Sequence, residues 1–149
     1  MKRPLRSAAL ALLLGVAAAQ LIQPGTANPP VDPARSLWND RKVDQRVAHI
    51  LRRACADCHS HKTEWPWYSK ISPVSWVMAR HVSNGRAKLN FDDWSGEPAD
   101  QLEEIYDSVA KKKMPLSSYL LMHPEGRLSK ADQDVLLAWA DGKLSQDSQ

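Results

Sequence analysis

The chain has 149 residues, and its 20 Lys and Arg against 17 Asp and Glu give a formal net charge of +3. Three of the cations, Lys2, Arg3 and Arg6, precede every acidic residue, so the part that follows them carries 17 charges of each sign. A neutral domain of this size lacks the basic surface that nucleic-acid binding requires, and we predict no nucleic-acid partner.

The first segment has the pattern of an export signal. Its basic residues precede an apolar stretch at residues 8–19, and Ala17-Ala18-Ala19 supplies the small residues of a cleavage site. We predict that residues 1–19 are a signal peptide or a short membrane anchor, with a second cleavage site possible after Ala27. A cleaved signal peptide predicts a soluble periplasmic domain, and a retained anchor predicts a periplasmic domain attached to the inner membrane.

A proline-rich stretch follows, with Asn28-Pro29-Pro30 and Asp32-Pro33 at its centre. This composition favours an extended backbone, and we predict a tether over residues 20–38 that leads to one domain over residues 39–145.

Four helices are predicted within the domain, and no strand. The first spans about residues 40–54, where apolar side chains recur at helical spacing: Val43, Val47, Ile50, Leu51 and Ala54. The second starts with Ser72 as N-cap and Pro73 as first helical residue, and Asn84-Gly85 predicts its end, with Gly85 in a left-handed conformation. The third starts at Pro98 and ends by Met114-Pro115.

Ser129 caps the last helix, with Asp132 three residues later as a capping box. The predicted fold is therefore all-α, with about four helices.

Between the first and second helices lies Cys55-Ala56-Asp57-Cys58-His59, a C-x-x-C-H motif. This spacing is the attachment signal for haem c, in which two thiols form thioethers with the haem and the imidazole ligates the iron. Positions i, i+3 and i+4 share one helical face, so Cys55, Cys58 and His59 all point to one side of a flat ring. We predict one covalent haem.

Two other uses of these residues stay open. A redox dithiol would need a βαβ pattern nearby, which the sequence lacks. A zinc site built from both thiols, His59 and His61 would crowd its four ligands into seven residues, which suits a tetrahedron poorly.

The second axial ligand is predicted to be Met114. The order of helix, C-x-x-C-H, helices, Met-Pro and final helix resembles class I cytochrome c, whose iron has His on one side and Met on the other. His81, on the apolar face of its helix, is the alternative and would give a bis-His haem. The lesser candidates are Met78, Met122, His61 and His123.

Aromatic and basic side chains complete the predicted pocket. Trp65, Trp67 and Trp76 follow the motif and offer flat apolar faces, whereas Trp139 is expected to pack in the core. Arg80 and Arg86 are candidates to pair with the haem propionates.

Several strings together resemble the bacterial cytochrome-c-like haem-binding domain family, and they span nearly all of the exported part. They are Asn28-Pro29-Pro30-Val31, Cys55-Ala56-Asp57-Cys58-His59-Ser60, Trp65-Pro66-Trp67-Tyr68-Ser69, Pro73-Val74-Ser75-Trp76, His81-Val82 through Gly85-Arg86, Leu89-Asn90-Phe91, and Met114-Pro115 through His123-Pro124-Glu125. The resemblance implies one covalent haem in an exported or membrane-tethered domain, with Met114 as distal ligand.

Two functions compete for such a domain. An electron-transfer protein needs a low-spin, six-coordinate iron, and Lys111, Lys112 and Lys113 beside Met114 would steer an acidic redox partner. A haem enzyme or ligand sensor of the peroxidase kind needs an open or bis-His sixth site, with His81 as the candidate acid or base. A haem-bearing subunit of a larger respiratory complex is a third possibility.

Overall fold

The computed structural model describes residues 2–94 and 98–144, and within them it is all-α, as predicted. It has seven α-helices rather than four, because two are single turns and the N-terminal segment is helical. Their bounds are α1 Lys2–Ala19, α2 Gln45–Ala54, α3 Ala56–His59, α4 Val74–Lys88, α5 Pro98–Ala110, α6 Ser117–Leu120 and α7 Lys130–Ala140. Short 3₁₀ turns occur at Pro33–Arg35, Leu37–Asn39, Trp67–Lys70 and Pro124–Gly126.

The core forms where α5 and α2 pack against α7. Its apolar side chains come from the helical faces expected from the sequence, and the buried ones include Val47, Leu51, Ile105, Val109, Leu136 and Trp139. Phe91, in the loop after α4, is fully buried among them. The prediction that Trp139 is a core residue is confirmed.

Helix α2 begins at Gln45, later than the predicted residue 40. The Asp44 side chain accepts a hydrogen bond from the Arg46 backbone N–H at 2.7 Å and so caps the helix. Val43 is nevertheless buried, so the apolar pattern that suggested an earlier start reflects packing of the preceding turn.

Helix α4 corrects two predictions. Pro73, not Ser72, occupies the N-cap position, and the Ser72 hydroxyl lies 3.1 Å from that of Ser75 instead of capping the helix. Gly85 does not end the helix, which continues to Lys88. An added Cβ at Gly85 would lie 2.5 Å from the carbonyl oxygen of Cys58, so glycine is needed where α4 crosses α3.

The proline-rich segment is attached to the domain rather than free of it, contrary to the tether predicted for residues 20–38. The Ser72 backbone N–H donates to the Gln20 side chain at 3.0 Å, and the Trp76 indole donates to the Ile22 carbonyl at 2.7 Å. Asn28 donates to the Thr63 carbonyl at 2.9 Å. Leu37 is fully buried in the core. We call residues 20–30 the strap.

Helix α1 extends from the strap with most of its side chains exposed, including Leu10, Leu12, Leu13 and Leu14. Among the described residues, no helix is both long enough and apolar enough to span a membrane.

The predicted capping box of α7 is confirmed, and it carries a further charge pair. Ser129 and Asp132 exchange hydrogen bonds between each side chain and the other's backbone, and Asp132 also pairs with Arg53 at 2.9 Å. Burial raises the pKa of Asp132, but the hydrogen bonds from Ser129 and Arg53 outweigh it and hold this pKa below its usual range.

We expect Asp132→Asn to lower the free energy of unfolding by about 1 kcal/mol at pH 7. A depressed pKa stabilises the fold above the unfolded-state value near 3.9 and loses that effect as pH falls through the folded value. The difference between variant and wild type should therefore shrink at pH 3, as measured by urea unfolding. Asp134→Asn, which breaks only the exposed pair with Lys130, is the control and should cost under about 0.5 kcal/mol. An equal loss in both variants would contradict the prediction.

Candidate functional site

The C-x-x-C-H motif occupies the junction of α2 and α3. Cys55 ends α2, and its carbonyl oxygen accepts hydrogen bonds from the backbone N–H groups of Cys58 (3.2 Å) and His59 (3.0 Å). This single turn brings Cys55, Cys58 and His59 together, and all three line one cavity. Glycine at position 85 lets α4 pack closely against the Cys58 carbonyl of this turn.

His59 is fixed by a backbone carbonyl that the sequence analysis did not identify. Its Nδ1 lies 3.0 Å from the Leu89 carbonyl oxygen, which can only accept, so Nδ1 carries the proton and Nε2 keeps a lone pair. Burial lowers the pKa of His59, and this outweighs the Leu89 and Gly85 carbonyls, which raise it. The imidazole is therefore held neutral, the form that ligates a metal.

His61 and His123 are engaged elsewhere. His61 has Nδ1 at 3.0 Å from the Pro30 carbonyl and Nε2 at 2.8 Å from the Asn90 amide. His123 has Nε2 at 3.1 Å from the Tyr68 hydroxyl and Nδ1 at 3.1 Å from Glu125. Both nitrogens of each ring are used, which counts against either as an axial ligand.

The zinc alternative gains no support. His61 would have to abandon both of its partners to become a ligand. No group of three or more His, Cys, Asp or Glu is arranged to hold a metal ion within residues 2–94 and 98–144. Cys55 and Cys58 are not joined by a disulfide.

Two adjoining cavities bring the predicted ligands together. The first, of about 270 Å³, is lined by Cys55, Cys58, His59 and Met114, and His81 also reaches it. The second, of about 180 Å³, is lined again by Cys55, His59 and Met114, and its apolar walls come from the core: Leu51, Leu89, Phe91, Ile105, Val109 and Leu136. The sequence separates Met114 from the motif by more than fifty residues, and the fold returns it to the same cavities.

Met114 is placed by the end of α5. The helix ends at Ala110, Lys112 adopts a left-handed φ of 52°, and the backbone N–H groups of Lys113 and Met114 both donate to the Ser108 carbonyl. This turn directs the chain back across the cavity mouth. His81, by contrast, lies on an exposed part of α4.

The two thiols lie in an apolar setting although each is partly exposed. Desolvation raises the pKa of Cys55 to about 12 and that of Cys58 to about 11. Both therefore stay protonated at neutral pH in the absence of a cofactor.

The cations at the cavities differ from those predicted. Arg80 lines neither cavity, and Arg86 donates to the Ser60 carbonyl (2.8 Å), the Asn28 side chain (2.7 Å) and the Thr63 hydroxyl (2.8 Å). Arg86 thus ties the strap to the loop after the motif. The sequence analysis missed Lys88, which lines both cavities, and assigned Lys113 only to partner steering, although Lys113 lines the deeper cavity.

The three predicted pocket tryptophans separate into two groups. Trp65 donates to the Asn28 side chain at 3.3 Å and Trp76 donates to the strap carbonyl of Ile22, so both hold the strap and line none of the cavities described. Trp67, 74% exposed, lines a third and larger groove beside Cys58.

The arrangement fits the expected covalent haem. Such a group needs two thiols and a neutral imidazole on one wall, apolar surface for the ring and cations for the propionates. The thiols and the imidazole are those of Cys55, Cys58 and His59. The core residues supply the apolar surface, and Lys88 and Lys113 supply the cations.

Comparison with known proteins identifies a family. A family model described as a haem-binding domain matches residues 14–142. No curated protein matches the chain. No solved structure matches it either.

Proposed function

The chain belongs to the haem-binding domain family, and from this premise we propose that it is an exported c-type cytochrome with one covalent haem that transfers electrons. In this proposal Cys55 and Cys58 hold the haem as thioethers, His59 is the proximal ligand and Met114 the distal one. The observation that carries the proposal is the return of Met114 to both cavities lined by Cys55 and His59.

A haem ligated by His and Met supplies reversible one-electron chemistry at a raised potential. The residues of the chain prepare that setting. The Leu89 carbonyl orients His59 through Nδ1, and the core residues around Phe91 exclude water from the deeper cavity. Lys88 and Lys113 are the proposed partners of the propionates, in place of Arg80 and Arg86.

A class I cytochrome c-like fold is part of the proposal. Its support is the order of the elements: α2 leads into the motif, α5 precedes Met114, and α7 packs against both helices. Helix α4, between the motif and Leu89, packs on α3 through Gly85.

Met114→Ala is the test of the distal ligand. We expect the oxidised wild-type protein to have the weak band near the red end of the spectrum that marks a Met–iron bond, and the variant to lose it completely. Met78→Ala is the matched control, because Met78 lines neither cavity and should leave the band intact. A wild-type spectrum without this band would contradict the assignment.

The alternative function is a haem enzyme or ligand sensor with an open or bis-His sixth site, in which His81 is the candidate acid or base. The exposure of His81 to the cavity that contains His59 favours it. Rapid binding of CO to the reduced protein, with peroxide turnover by the oxidised one, would support this alternative over electron transfer. His81→Ala should then abolish the turnover.

Export to the periplasm, with residues 1–19 as a signal peptide or anchor, completes the proposal. Its support is the basic and apolar order of the first segment. The intact mass of the purified protein measures cleavage and the gain of one haem together. Its redox partner is proposed to be another protein.

A further inference from the structure

An apolar groove of about 440 Å³ adjoins the first of the two cavities around His59. Its walls are mostly aliphatic and come from α4 and the segment after Met114: Val74, Val77, Met78, Val82, Leu116 and Met122. The exposed ring of Trp67 lies at its edge. The groove shares Asp57, Cys58, His81, Leu116 and Tyr119 with the first cavity, so its lining includes one of the two proposed attachment residues.

One wall of the groove is polar and contains a hydrogen-bonded chain that leads to solvent. The Tyr68 hydroxyl lies 3.1 Å from His123 Nε2, and His123 Nδ1 lies 3.1 Å from Glu125 Oε1. A hydrogen bond from its own backbone N–H and the bond from His123 hold the pKa of Glu125 below its usual range. The Glu125 side chain is 58% exposed.

The proton positions follow from this order. An ionised Glu125 only accepts, so His123 carries its proton on Nδ1 and accepts the Tyr68 hydroxyl proton at Nε2. The Tyr119 ring stacks on His123 at 4.4 Å and 11°, and its hydroxyl donates to Asp57 at 2.8 Å. The imidazole is therefore held in one orientation. Glu64 and Asp57 are the acidic residues that line the groove, and Glu125 lies outside its lining.

We propose that this groove binds a quinol, a flat apolar ring with two hydroxyl groups, and that the bound quinol is an electron donor to the protein. Aliphatic walls with one hydrogen-bonding wall match a ring that is apolar on its faces and polar at its edge. The proposal rests on the proposed electron-transfer function and names the class of donor.

The step balances with ferric haem as the oxidant. One quinol loses two O–H protons and two electrons and becomes a quinone with two C=O bonds. With haem bound, its ferric iron would accept one electron in each of two protein molecules. Each proton passes to the Tyr68 hydroxyl as Tyr68 donates its own to His123 Nε2, and His123 passes its Nδ1 proton to Glu125 and solvent.

Binding is tested first, with the full-length haem protein and tetramethylbenzoquinone as the probe in a calorimetric titration. Val77→Lys places a charge in the apolar wall and should weaken binding about tenfold or more. Ala87→Lys, exposed on the same helix but outside the groove, should change binding less than about twofold. Absence of quinone binding, or equal effects of the two variants, would overturn the proposal.

Proton transfer is tested second, by stopped-flow reduction of the ferric protein with tetramethylbenzoquinol. Tyr68→Phe and His123→Gln should slow this reduction about 100-fold, a larger factor than the loss of quinone affinity measured for the same variants by calorimetry. His49→Gln, exposed on α2, should leave the rate unchanged. Unchanged rates in Tyr68→Phe and His123→Gln would overturn the relay.

Reduction by ascorbate distinguishes a failure of the quinol site from a failure of the proposed electron-transfer function. A protein that ascorbate reduces but the quinol does not would overturn the quinol site and leave the proposed function standing. A protein that takes up no haem would refute the proposed function, and the quinone titration would still test the groove. A third outcome is possible if the wild-type protein binds no quinone. If a purified protein partner then reduces the wild type, and Val77→Lys slows that reduction, the groove belongs to the protein partner and the proposal is overturned.

Discussion

Replacement of Cys55 and Cys58 together by serine is expected to abolish covalent haem attachment completely. The haem thioethers need sulfur, and these are the only two cysteines in the chain. Serine preserves the size of both side chains, and the turn around the Cys55 carbonyl depends on backbone atoms only. Intact mass under denaturing conditions measures the result: the wild type should carry the added mass of one haem and the double variant none.

The single variants provide the control. Cys55→Ser and Cys58→Ser each leave one thiol and should each keep one thioether, with haem attachment reduced rather than abolished. Circular dichroism of the double variant should retain a helical spectrum, because both side chains border a cavity and neither belongs to the buried aliphatic core. Haem retained by the denatured double variant would refute the thioether assignment.

Gly85→Ala is expected to destabilise the fold and to impair haem attachment. In an exposed helical position this change would stabilise the helix by about 1 kcal/mol. Here the new Cβ would lie 2.5 Å from the Cys58 carbonyl oxygen and 3.2 Å from the Cys58 Cβ, so α4 must move away from α3. We expect a net loss of about 2 kcal/mol in the free energy of unfolding, from the range for overpacked interiors.

Urea unfolding measures that loss, and intact mass measures the fraction of chains with haem. Ser83→Ala, two residues earlier on an exposed part of α4, is the matched control and should leave both unchanged. A Gly85→Ala protein as stable as the control would mean that the close crossing of α3 and α4 is not required.

Local patterns predicted the parts of the site that depend on local chemistry. The turn that contains Cys55, Cys58 and His59 follows from residue spacing, and the Ser129 cap follows from side-chain hydrogen bonding to the adjacent backbone. Helical periodicity also found most of the core, because a buried helical face leaves a repeat in the sequence.

Contacts between distant segments left no such pattern. The orientation of His59 comes from a carbonyl, and every residue type has one, so nothing singles out Leu89 in the sequence. Gly85 was interpreted as a helix stop because glycine often adopts the left-handed conformation that ends a helix. Here glycine is needed because α4 crosses α3 too closely for a Cβ atom. The roles of Arg86 and Trp76 depend on the strap, whose return to the domain is a tertiary event.

The strap also limits how far the domain can travel. A flexible segment of the length of residues 20–30 would have an end-to-end distance that fluctuates around about 18 Å. Three hydrogen-bonded contacts prevent this fluctuation, and the first of them is at Gln20, directly after α1. They join Gln20 to Ser72, Ile22 to Trp76, and Asn28 to Thr63. While α1 is attached and held, these bonds would keep the domain close to α1 and in one orientation.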